Sequence, residues 1–338
     1  MPDRAIAGFD YLRAIMALAV VALHSDMFPE SILQNRSLPE HATLAWGDII
    51  EFNVFALAVP TFIIISIYLF LNKAPDVVYF RDRLLRLSVL YVFWVSLWIY
   101  VERLNTSTLA VVLNPRTILP FLVSGANSLY YFLFSLLVLT IVAWCTRRLS
   151  RRNLWLLFVT TTALLWILPA LVILQPSLSA LSTFYSPVNF LPCVFAAGLF
   201  LSYKRSGVFA VQDKTYVRAC VAFGALWLCT SAIEWSWMIS AAHFPGNSYC
   251  FPAYTRISVI LGSVCVVLLS YTIVGPVPWA VHKFAQLSLG IYCVHPFILR
   301  IKLLRHLPWF PFSRFVAIVV LSILVAGFVR FAIRQRVI

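Results

Sequence analysis

The residues most able to do chemistry sit in the first apolar stretch of the chain. Arg13 and His24 bracket the run AIMALAVVAL. If that run is a helix, eleven steps of 100° overshoot three turns by only about 20°, so both side chains share one face, about 16 Å apart along the axis. Ala17 and Val20 lie between them on that face, and Asp10 sits one turn before Arg13. A charge inside a membrane span is costly and by default marks a functional site. The stripe reads carboxylate, guanidinium, small-residue groove, imidazole. It could hold an anion at one end and move a proton at the other. An imidazole with an ordinary pKa near 6.5 is mostly neutral at pH 7, which fits His24 as a general base. Asp26, Asp48 and Glu51 are candidates to orient it. The plainer alternative has Arg13 snorkelling to the headgroups, paired with Asp10, and His24 marking the far interface.

Further polar groups recur in later apolar runs. Arg83 and Arg86 stand at i and i+3, hence on one helix face, where guanidinium forks could hold phosphate oxygens. Asp82 is a possible ion-pair partner for Arg86. Ser288, Tyr292 and His295 align by steps of four and three, and Pro296 frees a carbonyl one turn earlier. This face could wall a substrate channel, hold a second proton-handling group or simply bond to neighbouring helices. Glu234 is the one acid in its run and should face the bundle interior, near His24, near a substrate hydroxyl or paired with Arg256. Residues 242–253 carry His243, Phe244, Tyr249 and Phe251, aromatics that suit either a sugar face or an interfacial belt.

The elements that must position these groups are membrane helices. Of 338 residues, 62% are hydrophobic and 11% charged, and the mean hydropathy is +0.91. A soluble domain carries about a quarter charged residues, so a soluble enzyme, a secreted disulfide scaffold and a disordered chain are excluded. Ten apolar spans are expected, at 8–27, 52–71, 84–101, 129–146, 154–174, 188–203, 217–240, 255–275, 284–300 and 313–332. They form an all-α polytopic bundle, read as a single transmembrane domain over 1–338 with no internal repeat. The net charge of +14 sits in the loops, where it sets topology rather than binding nucleic acid. With the N-terminus inside, 17 basic residues fall on the cytoplasmic side and 8 opposite, which favours cytoplasmic termini. The loop 300–314, with four positive charges, opposes that orientation. The stretch 14–23 lacks a small-x-small site before His24, so a retained helix is expected rather than a cleaved signal. The cysteines are expected as buried small hydrophobes, with no spacing that writes a metal site.

Four segments together carry a resemblance. FDYLRAIMALAVVALH, residues 9–24, is similar to the opening of the acyltransferase-3 family of integral membrane acyltransferases, with its arginine, ten residues and a histidine. RDRLLRL, residues 81–87, resembles the family's Arg-x-x-Arg, here Arg83 and Arg86. LVSGANSLYYFLFSLLVL resembles the segment leading into the fourth span, with Tyr130 and Tyr131 where a tryptophan is usual. LSLGIYCVHPFIL, residues 287–299, resembles the motif of the penultimate span. The chain departs where the family often ends its second span with Ser-Gly-aromatic; here it has Ser66, Ile67 and Tyr68.

The resemblance implies transfer of an acyl group, most often acetyl from acetyl-CoA, to a hydroxyl of a surface or lipid-linked carbohydrate. It also implies a bacterial inner membrane protein of the short, membrane-only kind, with membrane lipids around it and no permanently bound cofactor. In that scheme Arg13, Arg83 and Arg86 hold acyl-CoA from the cytoplasm, and the thioester enters beside Ala17 and Val20. His24 then deprotonates the acceptor. A transferase of succinyl or a longer acyl group stays open. So does a transporter or flippase of a glycan precursor, which the lack of an inverted repeat argues against.

Overall fold

The computed structural model describes residues 7–25, 27–28, 46–101, 121, 124–125, 128–174, 186–207, 214–241, 253–273 and 275–336. Every regular element among them is helical. Lipid offers no hydrogen bonds, so a chain this apolar satisfies its backbone within helices, even through β-branched runs such as Ile63–Ile65. The α-helices are α1 (Ala7–His24), α2 (Trp46–Asn53), α3 (Ala58–Asn72), α4 (Val77–Val101), α5 (Tyr131–Thr146), α6 (Arg151–Leu174), α7 (Leu191–Arg205), α8 (Lys214–Ala241), α9 (Ile257–Tyr271), α10 (Trp279–Ile298) and α11 (Phe312–Arg336). Each sequence-expected span overlaps one of the longer helices. The short α2 was not expected, because Asp48 and Glu51 make that stretch read as a polar loop; both carboxylates are in fact buried.

Five helical stretches are long and apolar enough to cross a membrane: Ala7–His24, Trp46–Asn72, Val77–Val101, Lys214–Trp237 and Phe312–Phe331. Tyr131–Thr146 and Ile257–Tyr271 are apolar but shorter. The protein is therefore a helical membrane protein. Cys193, Cys265 and Cys293 are buried as expected, whereas Cys145 and Cys229 are exposed, a correction to their reading as core residues.

The chain divides into two compact units. The first comprises Met1–Phe62, Val217–Cys250 and Leu261–Ile338; the second comprises Ile63–Tyr216 and Phe251–Ile260. In the first unit α10 packs along both α1 and α11. Small residues let the backbones approach: a Cβ added at Gly290 would lie 2.9 Å from Ala326.

In the second unit α4 packs on α5, and α6 on α7. The turn from α3 into α4 is encoded locally. Ala74 takes a positive φ of 45°, Pro75 stops the preceding helix, and the Asp76 carboxylate accepts the Tyr79 N–H at 2.7 Å as the cap of α4. Ser150 caps α6 in the same way, accepting from the Asn153 N–H at 3.3 Å.

Candidate active site

Within the first unit, α1 and α10 lie side by side and touch through polar residues at both ends. Asp10 meets His282, Arg13 meets Ser288, and His24 meets His295. Residue numbers rise together on both helices, so the two run parallel. From Asp10 to His24 is about 21 Å of helix and from His282 to His295 about 20 Å, so the two polar stripes match in length.

At the Asp10 end the side chains form a connected chain. The Asp10 carboxylate lies 3.9 Å from Arg13 and 2.7 Å from His282 Nδ1. His282 Nε2 lies 2.7 Å from the Gln286 amide nitrogen. An amide nitrogen only donates, so His282 Nε2 accepts and Nδ1 carries the proton given to Asp10. Arg13 also reaches the Ser288 hydroxyl at 3.4 Å, which itself donates to the Ala285 carbonyl at 2.8 Å. Arg13 is thus paired with Asp10, as the plainer reading held, and it is also tied to the ninth expected span. His282 and Gln286 were missed in the sequence. Their i, i+4 spacing at the start of that span was the available signal.

At the other end two imidazoles stack. The His24 and His295 ring centroids are 5.7 Å apart with 21° between planes, and the Tyr292 ring meets His295 edge-on at 5.7 Å. His295 is fully buried. Its Nδ1 lies 3.2 Å from the Ile291 carbonyl, and a carbonyl only accepts, so Nδ1 carries a proton. In the neutral ring Nε2 then bears the lone pair, and among the described residues it has no hydrogen-bond partner. A fixed tautomer with a bare, sheltered nitrogen is the geometry of a proton acceptor.

Arg314 finishes this end of α1. It is buried and donates to the Ser25 carbonyl at 3.2 Å, next to His24, so a cation closes the carbonyl end of the helix. In the sequence Arg314 read as a loop charge. Its partner lies 289 residues away, beyond any local pattern.

Three buried acids lie on α2 and α8, two helices that pack on one another. Phe28 stacks on Phe55 at 6.2 Å and crowds Gly47 of α2. Ser231 of α8 donates to the Asn53 side chain at 2.6 Å, and Trp235 packs edge-on against Phe52 at 5.0 Å. Asp48, Glu51 and Glu234 are carried by these packed segments, and all three are fully buried. Asp26, and residues 242–252 of the aromatic loop, lie outside the described residues. Ala17 and Val20 are buried at 3% and 2% exposure, so the small-residue groove expected between Arg13 and His24 is packed shut.

Arg83 and Arg86 belong to the second unit. Arg83 is held in place: it donates to the Ser66 hydroxyl at 2.8 Å and the Ser66 carbonyl at 3.3 Å, reaches Thr140 at 3.5 Å, and lies over the Phe70 ring. Ser66 keeps the serine of the family's Ser-Gly-aromatic pattern, from which the chain departs at the next residue, Ile67. Arg83→Lys keeps the charge but cannot reproduce this fork, so it should lower stability by about 1–2 kcal/mol, read as a lower melting temperature of the solubilised protein. An unchanged melting temperature would mean these contacts contribute nothing. Arg86 is exposed, and it donates to the Asp82 backbone carbonyl at 3.2 Å. The Asp82 carboxylate pairs with Arg81 at 3.1 Å, which corrects the expected Asp82–Arg86 pair: Arg81 Nε and Nη2 both donate to Asp82 Oδ1, while Arg86 is spent on the backbone carbonyl.

No curated protein and no solved structure gives a significant match. One family model does: the acyltransferase-3 model, an acyltransferase domain, matches residues 6–330. That stretch contains all four segments whose resemblance was noted and both ends of the α1–α10 pairing. An apolar helical chain matched over nearly its whole length by this model belongs to the acyltransferase-3 family and is a membrane acyltransferase.

Proposed function

We propose that the protein transfers an acyl group, acetyl before succinyl or longer, from acyl-CoA to a hydroxyl of a surface or lipid-linked glycan, in a bacterial inner membrane with both termini cytoplasmic. The observation that carries this reading is the pairing of His24 with His295 at one end of parallel helices whose other end holds Arg13. Two of the basic residues counted against the orientation, Arg256 and Arg314, are buried and do not meet headgroups. Their burial supports cytoplasmic termini. We read the two compact units as parts of one acyltransferase domain.

In the reaction, the acceptor oxygen attacks the thioester carbonyl as His24 takes its proton. The C–O bond forms, the C–S bond breaks, and the proton passes to the departing thiolate to give free CoA. General-base assistance of this kind accelerates proton transfer by about 10²–10⁴-fold. His295 sits against His24 to share the proton load, and the Arg314 charge steadies the oxyanion side. Glu234, Tyr292, Asp48 and Glu51 shape the acceptor end. Arg13, Arg83 and Arg86 answer the anionic donor. Because Ala17 and Val20 are packed, a pantetheine arm passing along their face requires α1 and α10 to part.

The test is label transfer from [acetyl-¹⁴C]-CoA into glycan, using membranes that hold the protein and a verified acceptor. Label that mild base releases is the expected result, since an O-acyl ester is base-labile. Transfer from succinyl-CoA alone would reassign the donor. No transfer from a panel of acyl-CoA donors would overturn the reading in favour of glycan transport.

A further inference from the structure

The second unit contains a cavity of about 390 Å³ where the last turns of α3, α5 and α7 meet the start of α6. Its lining divides by chemistry. Leu71, Leu154 and Leu201 are buried and form an apolar floor, while Arg147, Arg148 and Arg205 bring three guanidinium groups to the more open side. Among the described residues none of the three forms an ion pair. Arg147 lies over its own neighbour Trp144, 3.4 Å from the ring centroid. Arg205 reaches the Leu71 carbonyl at 3.5 Å. The described acids of this unit are committed elsewhere, Asp76 to the Tyr79 N–H and Asp82 to Arg81. Three like charges converging on one concave surface create a positive field that only an anion relieves.

We propose that this cavity binds an organophosphate: a group carrying two or more negative charges on an apolar or planar body. Guanidinium forks match phosphate oxygens in pairs. A phosphomonoester carries about −1.5 to −2 at pH 7, which three cations suit better than a single carboxylate would. The start of α6 adds the positive end of a long helix. The volume falls within the ~300–1,000 Å³ of small-molecule pockets, and the leucine floor accepts a ring or the first part of an acyl chain. Neither Arg83 nor Arg86 lines it, so the cavity is distinct from that arginine pair. Two sources present this chemistry: the 3′-phosphorylated adenosine end of CoA, an identification that rests on the acyl-CoA reading above, and an anionic phospholipid headgroup.

Two variants probe the cavity by different means. Arg148→Gln with Arg205→Gln removes charge from two exposed side chains. Gly198→Leu fills the space, since a Cβ at Gly198 already lies 3.3 Å from Leu154. Full-length protein in phosphatidylcholine nanodiscs is titrated with 3′,5′-adenosine diphosphate by calorimetry. In parallel, nanodiscs containing phosphatidic acid are analysed by native mass spectrometry for retained lipid. Nucleotide binding weakened at least tenfold in both variants supports the site and names the donor as its ligand. Loss of retained phosphatidic acid in both, with no nucleotide binding, supports the site and names a lipid. Either ligand bound equally by wild type and the charge variant, or neither bound by wild type, overturns the proposal. A protein that transfers acyl groups yet binds neither probe sinks this site alone. A protein that binds phosphatidic acid here yet transfers from no CoA donor sinks the functional reading alone.

Discussion

His24→Ala is expected to lower acyl transfer by about 10²–10⁴-fold while the protein still folds and inserts. The size follows from the role. Without a base beside it, a sugar hydroxyl is a poor nucleophile at neutral pH. The folding expectation follows from position: His24 is the last residue of α1 and only partly buried, and the end of the helix is held independently by the bond from Arg314 to the Ser25 carbonyl. The measurement is transfer rate per mole of monodisperse protein. A His24→Ala variant with wild-type turnover would remove His24 from the chemistry. Full retention by His24→Ala together with collapse in His295→Ala would instead move the base one helix over, to the ring whose Nε2 stands bare.

Gly8→Ala should be the most destabilising single-methyl change in the first unit. An added Cβ would lie 1.6 Å from the Ser270 carbonyl oxygen and 2.5 Å from its carbon. Those atoms are backbone, so no rotamer change relieves the clash, and the start of α1 has to move away from the end of α9. Overpacking a tight contact costs about 1–3 kcal/mol, and a backbone collision sits at or above the top of that range. Gly327→Ala is the matched control: nothing lies within 4 Å of its added Cβ, and alanine is the better helix former by about 1 kcal/mol. Fluorescence-detected thermal melts should show Gly8→Ala several degrees below wild type and Gly327→Ala at or above it. Equal melting of Gly8→Ala and wild type would rule out the close approach of α1 to α9.

Helix positions were legible in the sequence because hydrophobic runs alone decide them. The polar face of α1 was legible because a helix converts spacing into geometry: Arg13 and His24 had to share a side. The same logic aligned Ser288 with His295. What spacing cannot supply is the partner. That Ser288 answers Arg13 and His295 answers His24 depends on two segments some 270 residues apart packing in parallel. For that reason Arg314 read only as a loop charge and His282 was missed, since each becomes interesting only beside α1. The short α2 escaped because its carboxylates imitate a solvated loop until tertiary packing buries them.

The two polar ends of the α1–α10 pair bear on how such an enzyme can live in an energised membrane. A stripe of ionisable groups running through a bilayer is a potential proton wire, and hopping needs hydrogen-bonded steps of roughly 3 Å. Among the described residues, side chains do not supply such steps between the two ends. Met16, Ala17, Val20 and Val21 fill the interval on α1 with buried apolar atoms. On α10 the Ser288 proton is turned back to the Ala285 carbonyl and the Nδ1 proton of His295 to that of Ile291. The two acid–base ends are thus separated by an apolar seam. In a membrane that carries a proton gradient, an apolar seam of this kind would slow proton leakage along the pair between turnovers.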